Sequence, residues 1–527
     1  MDKVIASEIR SMDADARVNA LLYGSQWAKP QFSAAPTEIT YSFVSQDASA
    51  LPVGSADFQT GLRAFTPGEA AITRTALASI EAVCNVRFIE VPDIGDNTLR
   101  YAFSDAPNQY GFAGFAFFPS NSEQAGEVFI GTRQAGAEWA DYLPCLILHE
   151  TLHAMGLKHP FEGASQLSAG QDMLANTVMS YSAISGISGS SLSNYPHEPM
   201  PIDVQALQFM YGAVAHNEGD TRYHLDSTDL AEGLHVLWDS QGHDVLDASN
   251  VSVGVRLDLR PGAQSSIGSS VTAIGLRTAD GARTMVQESN ENTLALAEGC
   301  DIEDATGSNQ ADTLVGNALD NRLQGGQGND TLRGNAGRDV LDGGAGVDTA
   351  VYDGARVDHV LQVLPLGITV RDLKGQDGTD TLTGVERIHF ADMTLALDLD
   401  GHAAQAAMIL GALAGRQALG HADHVGRVLN LLDHGASEAE VAAFIIDQTW
   451  GTPVANVDFV NQVYINVVGH APDAQASAYY TGLLQAGRYT QADLAVMAAH
   501  AQENVLGIDL VGLAQTGIAY TPADAAL

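Results

Sequence analysis

The chain has 527 residues, too many for one ordinary domain, and a formal net charge of −39 from 64 acidic against 25 basic residues. That charge excludes nucleic acid and anionic membrane as partners, since phosphates would be repelled. Three cysteines, Cys84, Cys145 and Cys300, lie far apart with no C-x-x-C spacing. They predict neither a disulfide framework nor a thiolate metal site.

The N-terminus has no apolar signal core, and no long uncharged apolar run predicts a membrane span. The first informative element begins at Pro144, where an apolar run leads into His149-Glu150-Thr151-Leu152-His153-Ala154-Met155-Gly156-Leu157-Lys158-His159. Four residues apart on a helix, His149 and His153 share one face and can share one ion. Gly156 can take the left-handed conformation that ends a helix, which lets His159 approach from another side. Three neutral nitrogens with a fourth position open to water describe a catalytic zinc site. Glu150 points beside the metal, where a general base must stand. About twenty residues on, Asn176-Thr177-Val178-Met179-Ser180-Tyr181 places a methionine in a short apolar turn.

With Pro160 after the third histidine and Met179-Ser180-Tyr181 downstream, the chain resembles the serralysin family of secreted bacterial zinc endopeptidases. The resemblance implies that His149, His153 and His159 bind zinc and that Glu150 is the base. It implies that Met179 lies beneath the site in a Met-turn. It further implies that Tyr181 is an additional zinc ligand that swings away and then stabilises the tetrahedral intermediate. Leu21–Trp27 and Ile39–Phe43 resemble the start of such a catalytic domain. Gly111–Pro119 and Gly126–Ile130 resemble strands preceding the active-site helix, one of them an edge that pairs with extended substrate. Ile202–Ala213 resembles the helix that closes the domain, whose expected span is 36–215 after a short N-terminal segment, 1–35.

Short alternating strands such as Leu234–Trp238 and Val255–Leu259 predict a β-rich bridge over 216–300. From Gly307 the chain repeats every nine residues through Val351, with glycine opening units at 307, 316, 325, 334 and 343. The sixth position holds Asp312, Asn321, Asp330, Asp339 and Asp348, and the eighth Leu314, Leu323, Leu332, Leu341 and Ala350. This resembles the RTX parallel β-roll, expected over 301–400. The sixth-position side chains, with loop carbonyls near Gly325, Gly326, Gly328, Gly334, Gly337, Gly343, Gly344 and Gly346, offer calcium hard oxygen ligands. Two units make one coil, so Asp312, Asp330 and Asp348 should line one side, and Asn321 and Asp339 the other. Ser308 and Asn317 replace the second glycine of the first two units, and Gln310 and Leu319 the fourth, which weakens those sites.

Asp380–Phe390 resembles the strand module that ends such arrays, and 401–527 reads as an alanine-rich helical domain, in which the RTX resemblance implies a secretion signal. Asp458–Tyr464 and Gly469–Asp473 resemble a small helical domain appended to secreted RTX proteins. The expected fold is therefore multidomain α+β: a metzincin-like catalytic domain, a parallel β-roll, and a small all-α domain. The resemblance implies protein or peptide substrates, one zinc, several calcium ions, and type I export from a Gram-negative cell. The competing expectation is a calcium-dependent cell-surface or matrix-binding protein with a vestigial protease fold. Two roles stand open for the C-terminal helical domain: anchoring the protein to a cell surface or matrix, or capping the roll.

Overall fold

The computed structural model describes residues 6–8, 15–27, 35–44, 58–93, 97–227, 230, 233–269, 271–274, 286–289, 291–365, 367–451 and 453–522. Much of the expected N-terminal segment and the last five residues lie outside that set. The chain divides into two compact units: residues 1–251 with 255–302, and 252–254 with 303–527. No helix among the described residues is long and apolar enough to cross a membrane.

The first unit is built on a five-stranded sheet ordered Val86–Glu90, Thr37–Phe43, Leu99–Ser104, Glu127–Gly131, Gly114–Ala116. The first four strands are parallel and Gly114–Ala116 is an antiparallel edge. Leu99–Ser104 is buried along its whole length, as expected of a strand covered on both faces. Two helices matter for the site. Pro67–Glu81 starts from a capping box in which Thr66 and Glu69 satisfy each other's backbone N–H groups. Leu143–Met155 carries the first two histidines and packs against it. It is buried nearly all round, so its apolar sequence reflects burial and not one amphipathic stripe. Trp27, the largest fully buried side chain, donates its Nε1–H to the Ala154 carbonyl at 2.9 Å and so ties the helix end to the N-terminal segment.

In the second unit, two ladders of parallel strands alternate along the chain. One runs Asp304–Thr306, Arg322–Gln327, Val340–Ala345, Thr379–Thr383; the other runs Thr313–Val315, Thr331–Arg333, Thr349–Val351, Arg387–His389. Leu323 faces Leu341, and Leu332 faces Ala350, a step of two nine-residue units. Leu314, Leu323, Leu332, Leu341 and Ala350 are fully buried. Gly344 and Gly346 hold φ of +103° and +150°, which no side chain adopts without strain. The nine-residue period stops at Val351, but the ladders do not. An insertion containing the antiparallel pair His359–Leu364 and Gly367–Asp372 intervenes, after which Leu382 joins Leu341 and Ile388 joins Ala350.

The remainder is helical, from His402–Ala414 through Leu510–Thr516, around Ile409, Leu413, Leu429 and Phe459. The all-α expectation needs one correction. Ile518–Tyr520 is a strand that pairs antiparallel with Thr394–Ala396. Gly517, at φ +73°, ends the preceding helix, and Ile518 then buries its side chain in the helical core.

Candidate metal centre and repeat sites

The helix Leu143–Met155 ends at Gly156, whose φ is +113°. A Cβ there would collide with the Ser25 carbonyl, so both conformation and space demand glycine. The reversal brings His159 back to the helix. His159 Nε2 lies 3.1 Å from His153 Nε2 and 3.3 Å from His149 Nε2. Among the described residues, this trio is one of two groups whose donor atoms could hold one metal ion.

Each ring is held by its other nitrogen. His149 Nδ1–H donates to the Val178 carbonyl at 2.8 Å, and His153 Nδ1–H to the Leu157 carbonyl at 2.7 Å. His159 Nδ1–H donates to Glu162 Oε1 at 2.9 Å. These bonds fix the tautomer and leave three Nε2 lone pairs converging on one point. Burial, reinforced by the neighbouring His159, pushes His149 down to about 3. Burial and the charges of His149 and His159 hold His153 well below its ordinary range. His149 and His153 are therefore neutral near pH 7, the state that ligates. Two nitrogens bound tetrahedrally to zinc stand roughly 3.3 Å apart, so the observed separations fit that ion.

Glu150 is 5% exposed, and burial alone pushes its carboxyl up to about 8. A dication in front of it would draw that value down. It sits against the edge strand so closely that a Cβ on Gly114 would stand 2.6 Å from Oε1. Tyr181 donates its hydroxyl to His159 Nε2 at 2.8 Å and is 44% exposed. Met179 is fully buried. Two adjoining cavities meet at Glu150 and Tyr181. One is walled by Trp139, Tyr142, Leu146 and Tyr195, the other by Tyr23, Phe115 and Phe118. Cys145 lines the first cavity, but burial pushes its thiol up to about 12, so it acts as apolar wall. His197 and His470 sit exposed in loops.

Asp203 is the residue that sequence reasoning passed over. Fully buried on the helix Pro201–Tyr211, it accepts the Thr177 hydroxyl at 2.5 Å, the Val178 N–H at 2.8 Å and the Met200 N–H at 3.0 Å. The Val178 carbonyl is the one that holds His149, so Asp203 positions a ring it never touches. Its only local signal is an aspartate three residues after a helix cap. Asp203→Ala strands three buried donors, and each unsatisfied group costs ~1–3 kcal/mol. We expect thermal unfolding of the variant to reveal a loss of at least a few kcal/mol.

The sixth-position side chains of the repeats form two columns. The Asp312 N–H donates to Asp330 Oδ1 and the Asp330 N–H to Asp348 Oδ1, each at 2.8 Å. On the other side the Asn321 N–H donates to Asp339 Oδ1 at 2.8 Å. The columns extend past the repeats. The Asp339 N–H reaches Asp380 Oδ1 at 3.2 Å, and the Asp348 N–H reaches Glu386 Oε2 at 2.9 Å. Asp380 and Glu386 fall outside the nine-residue register, which is why sequence spacing missed them. In the degenerate units the protein itself occupies the aspartate: the Ser308 N–H donates to Asp312 Oδ2 at 2.5 Å and its hydroxyl to Oδ1 at 2.9 Å. Asn317 N–H likewise caps Asn321 Oδ1 at 2.8 Å. By contrast, the second carboxylate oxygens of Asp330, Asp339, Asp348 and Asp380 are buried with no hydrogen-bond partner. Such orphaned oxygens fit a cation.

Comparison with known proteins finds two matching family models and several similar proteases. A family model described as RTX calcium-binding nonapeptide repeat (4 copies) matches residues 315–350. Another, described as Domain of unknown function (DUF4214), matches residues 441–507. Serralysin G of Dickeya chrysanthemi is 31% identical over 314 residues, covering 54% of this chain and 60% of its own length. Serralysin of Photorhabdus laumondii subsp. laumondii is 26% identical over 313 residues, 54% of this chain and 60% of its own. Metallopeptidase AprA of Pseudomonas marginalis is 27% identical over 325 residues, 54% of this chain and 61% of its own. The chain thus spans about 60% of the length of the curated relatives it matches. The chain is similar to serralysins over about half of its length, and its repeats match the RTX calcium-binding family model.

Proposed function

We propose that this protein is a secreted, calcium-stabilised zinc endopeptidase with a metzincin-like catalytic segment over 36–215 and a parallel β-roll over 301–400. The observation that carries the reading is the convergence of three pinned imidazoles beside a buried carboxylate that faces a cleft. His149, His153 and His159 would hold zinc, with Tyr181 as a further ligand in the resting state. A bound zinc would acidify a coordinated water and polarise the scissile carbonyl. Glu150 takes the proton of the attacking water and delivers it to the leaving amine. Tyr181, half exposed and leaving its bond to His159, donates its hydroxyl to the oxygen where negative charge develops. Gly114–Ala116, the edge of the sheet among the described residues, aligns an extended peptide, and the two cavities that meet at Glu150 suit a chain that passes through.

Asp330, Asp339, Asp348 and Asp380 would hold calcium with loop carbonyls of Gly325, Gly326, Gly328, Gly334, Gly337, Gly343, Gly344 and Gly346. Asp312 and Asn321, capped by Ser308 and Asn317, contribute less. Type I export follows from the serralysin and RTX likeness, since a chain that folds only in external calcium crosses the envelope unfolded.

Casein cleavage with and without a zinc chelator, at saturating calcium, tests this reading. Cleavage that the chelator abolishes and zinc restores supports it. No cleavage despite bound zinc favours the surface-binding alternative, with attachment through the helical region 401–527. A second expectation concerns Glu162, which orients the third ligand. Removing such a partner typically weakens metal binding 10–100-fold. Glu162→Ala should show that loss in chelator competition, and Glu162→Gln, which keeps an acceptor oxygen, should recover most of it.

A further inference from the structure

The second group able to hold an ion lies far along the chain, in the insertion between the last repeat and Asp380. His359, Asp372 and Asp377 bring one donor atom each within 4.8 Å of one another. The imidazole is fully buried, packed between Tyr352 and Phe390, with ring centroids 5.3 and 5.0 Å away. Gly354 makes the room: a Cβ there would stand 2.6 Å from His359 Cε1. The ring is pinned as the catalytic histidines are. His359 Nδ1–H donates to the Ala355 carbonyl at 2.9 Å, which turns the Nε2 lone pair toward the two carboxylates.

The bland reading is an ion pair between a protonated His359 and Asp377. The separation is long for a buried pair of that kind. Charge-assisted N–H···O bonds run about 2.7–2.9 Å. Three other histidine–carboxylate pairs of this chain fall in that range, His159–Glu162 at 2.9 Å, His402–Asp433 at 2.8 Å and His500–Glu438 at 2.8 Å, while the pair that exposed His224 makes with Asp247 is wider at 3.3 Å. His359 Nε2 stands 3.3 Å from Asp377 Oδ2. That is longer than the charge-assisted range and equals the ~3.3 Å edge between two ligands of one tetrahedral ion. Asp372 is rigid, accepting the N–H groups of Lys374 at 2.7 Å, Gln376 at 2.6 Å and Asp377 at 3.1 Å. The nearby ammonium of Lys374 is engaged by Asp358 and leaves both carboxylates uncompensated by a lysine.

We propose that His359, Asp372 and Asp377 form a second metal site, structural in role, that takes a first-row transition ion such as zinc. One nitrogen and two carboxylates give a dication its neutralising charge, and the nitrogen disfavours calcium, which prefers oxygen alone. The ion would clamp the 372–378 loop to the strand His359–Leu364.

The test counts zinc in the full-length, calcium-saturated protein. A His149→Ala/His153→Ala variant, which lacks the first trio, should still bind one Zn2+ per chain by titration. Adding His359→Gln should abolish that equivalent, and Asp377→Asn, nearly isosteric, should weaken it at least tenfold while the circular dichroism spectrum stays native. Failure of the two-alanine variant to bind zinc, or binding that survives both further substitutions, overturns the proposal. Casein cleavage by His359→Gln alone should match the unsubstituted protein, which separates this site from the proposed catalytic one.

Discussion

Glu150→Gln should retain one zinc at the His149, His153 and His159 site yet lose casein cleavage by roughly 10²–10⁴-fold. The amide keeps the size of the carboxylate, so the tight fit against Gly114 is undisturbed. What disappears is the ability to take a proton. The hydrogen bonds that hold the three imidazoles run to Val178, Leu157 and Glu162 and not to Glu150, so metal binding should survive. Zinc content by atomic absorption and casein turnover, measured on the same preparation, separate the two effects. Substantial cleavage with zinc bound would remove Glu150 from the role of base.

The part of this site that can be read along the chain is the part governed by local rules. Spacing of four puts His149 and His153 on one helix face, and a glycine that must turn left-handed returns His159. The nine-residue period locates the strands and both columns of side chains for the same reason: each contact repeats at a fixed offset. Legibility ends where partners are distant or the offset changes. Asp203 acts on residues 25 and 26 positions back, and nothing near it announces that. Asp380 and Glu386 continue the columns at offsets of 41 and 38, because the insertion interrupts the count. Gly114 matters only because a distant helix presses Glu150 against it.

Without calcium, the repeat region should be more stable in weak acid than at pH 8, the reverse of its behaviour when loaded. The reason lies in the orphaned oxygens. Burial, followed by the charges of Asp348 and Asp312, pushes Asp330 up to about 7. Burial, followed by Glu386 and Asp342, pushes Asp348 up to about 6. Asp339 and Asp380 are raised as well, by burial first, then by Asp320 for the former and by Asp339 for the latter. In the unfolded chain these carboxyls titrate near 3.9. A group whose folded value is raised contributes stability that is complete below the unfolded value and is lost as pH rises through the folded one. For Asp330 and Asp348 that window runs from about pH 4 to about pH 7. Calorimetry of the calcium-free protein should therefore show the transition falling by on the order of 5 °C or more between pH 5 and pH 8. Saturating calcium at pH 8 should restore it, since the ion binds the folded carboxylates and not the unfolded ones. Glu150 and Asp203 carry shifts of the same sign in the first unit, so the repeat's share needs its own control. Asp330→Asn/Asp348→Asn supplies it: two neutral side chains should flatten the pH dependence of the calcium-free transition and blunt its response to calcium. A calcium-free transition that rises from pH 5 to pH 8, or one the double substitution leaves unchanged, would mean that these carboxylates are not the groups that make folding wait for the ion.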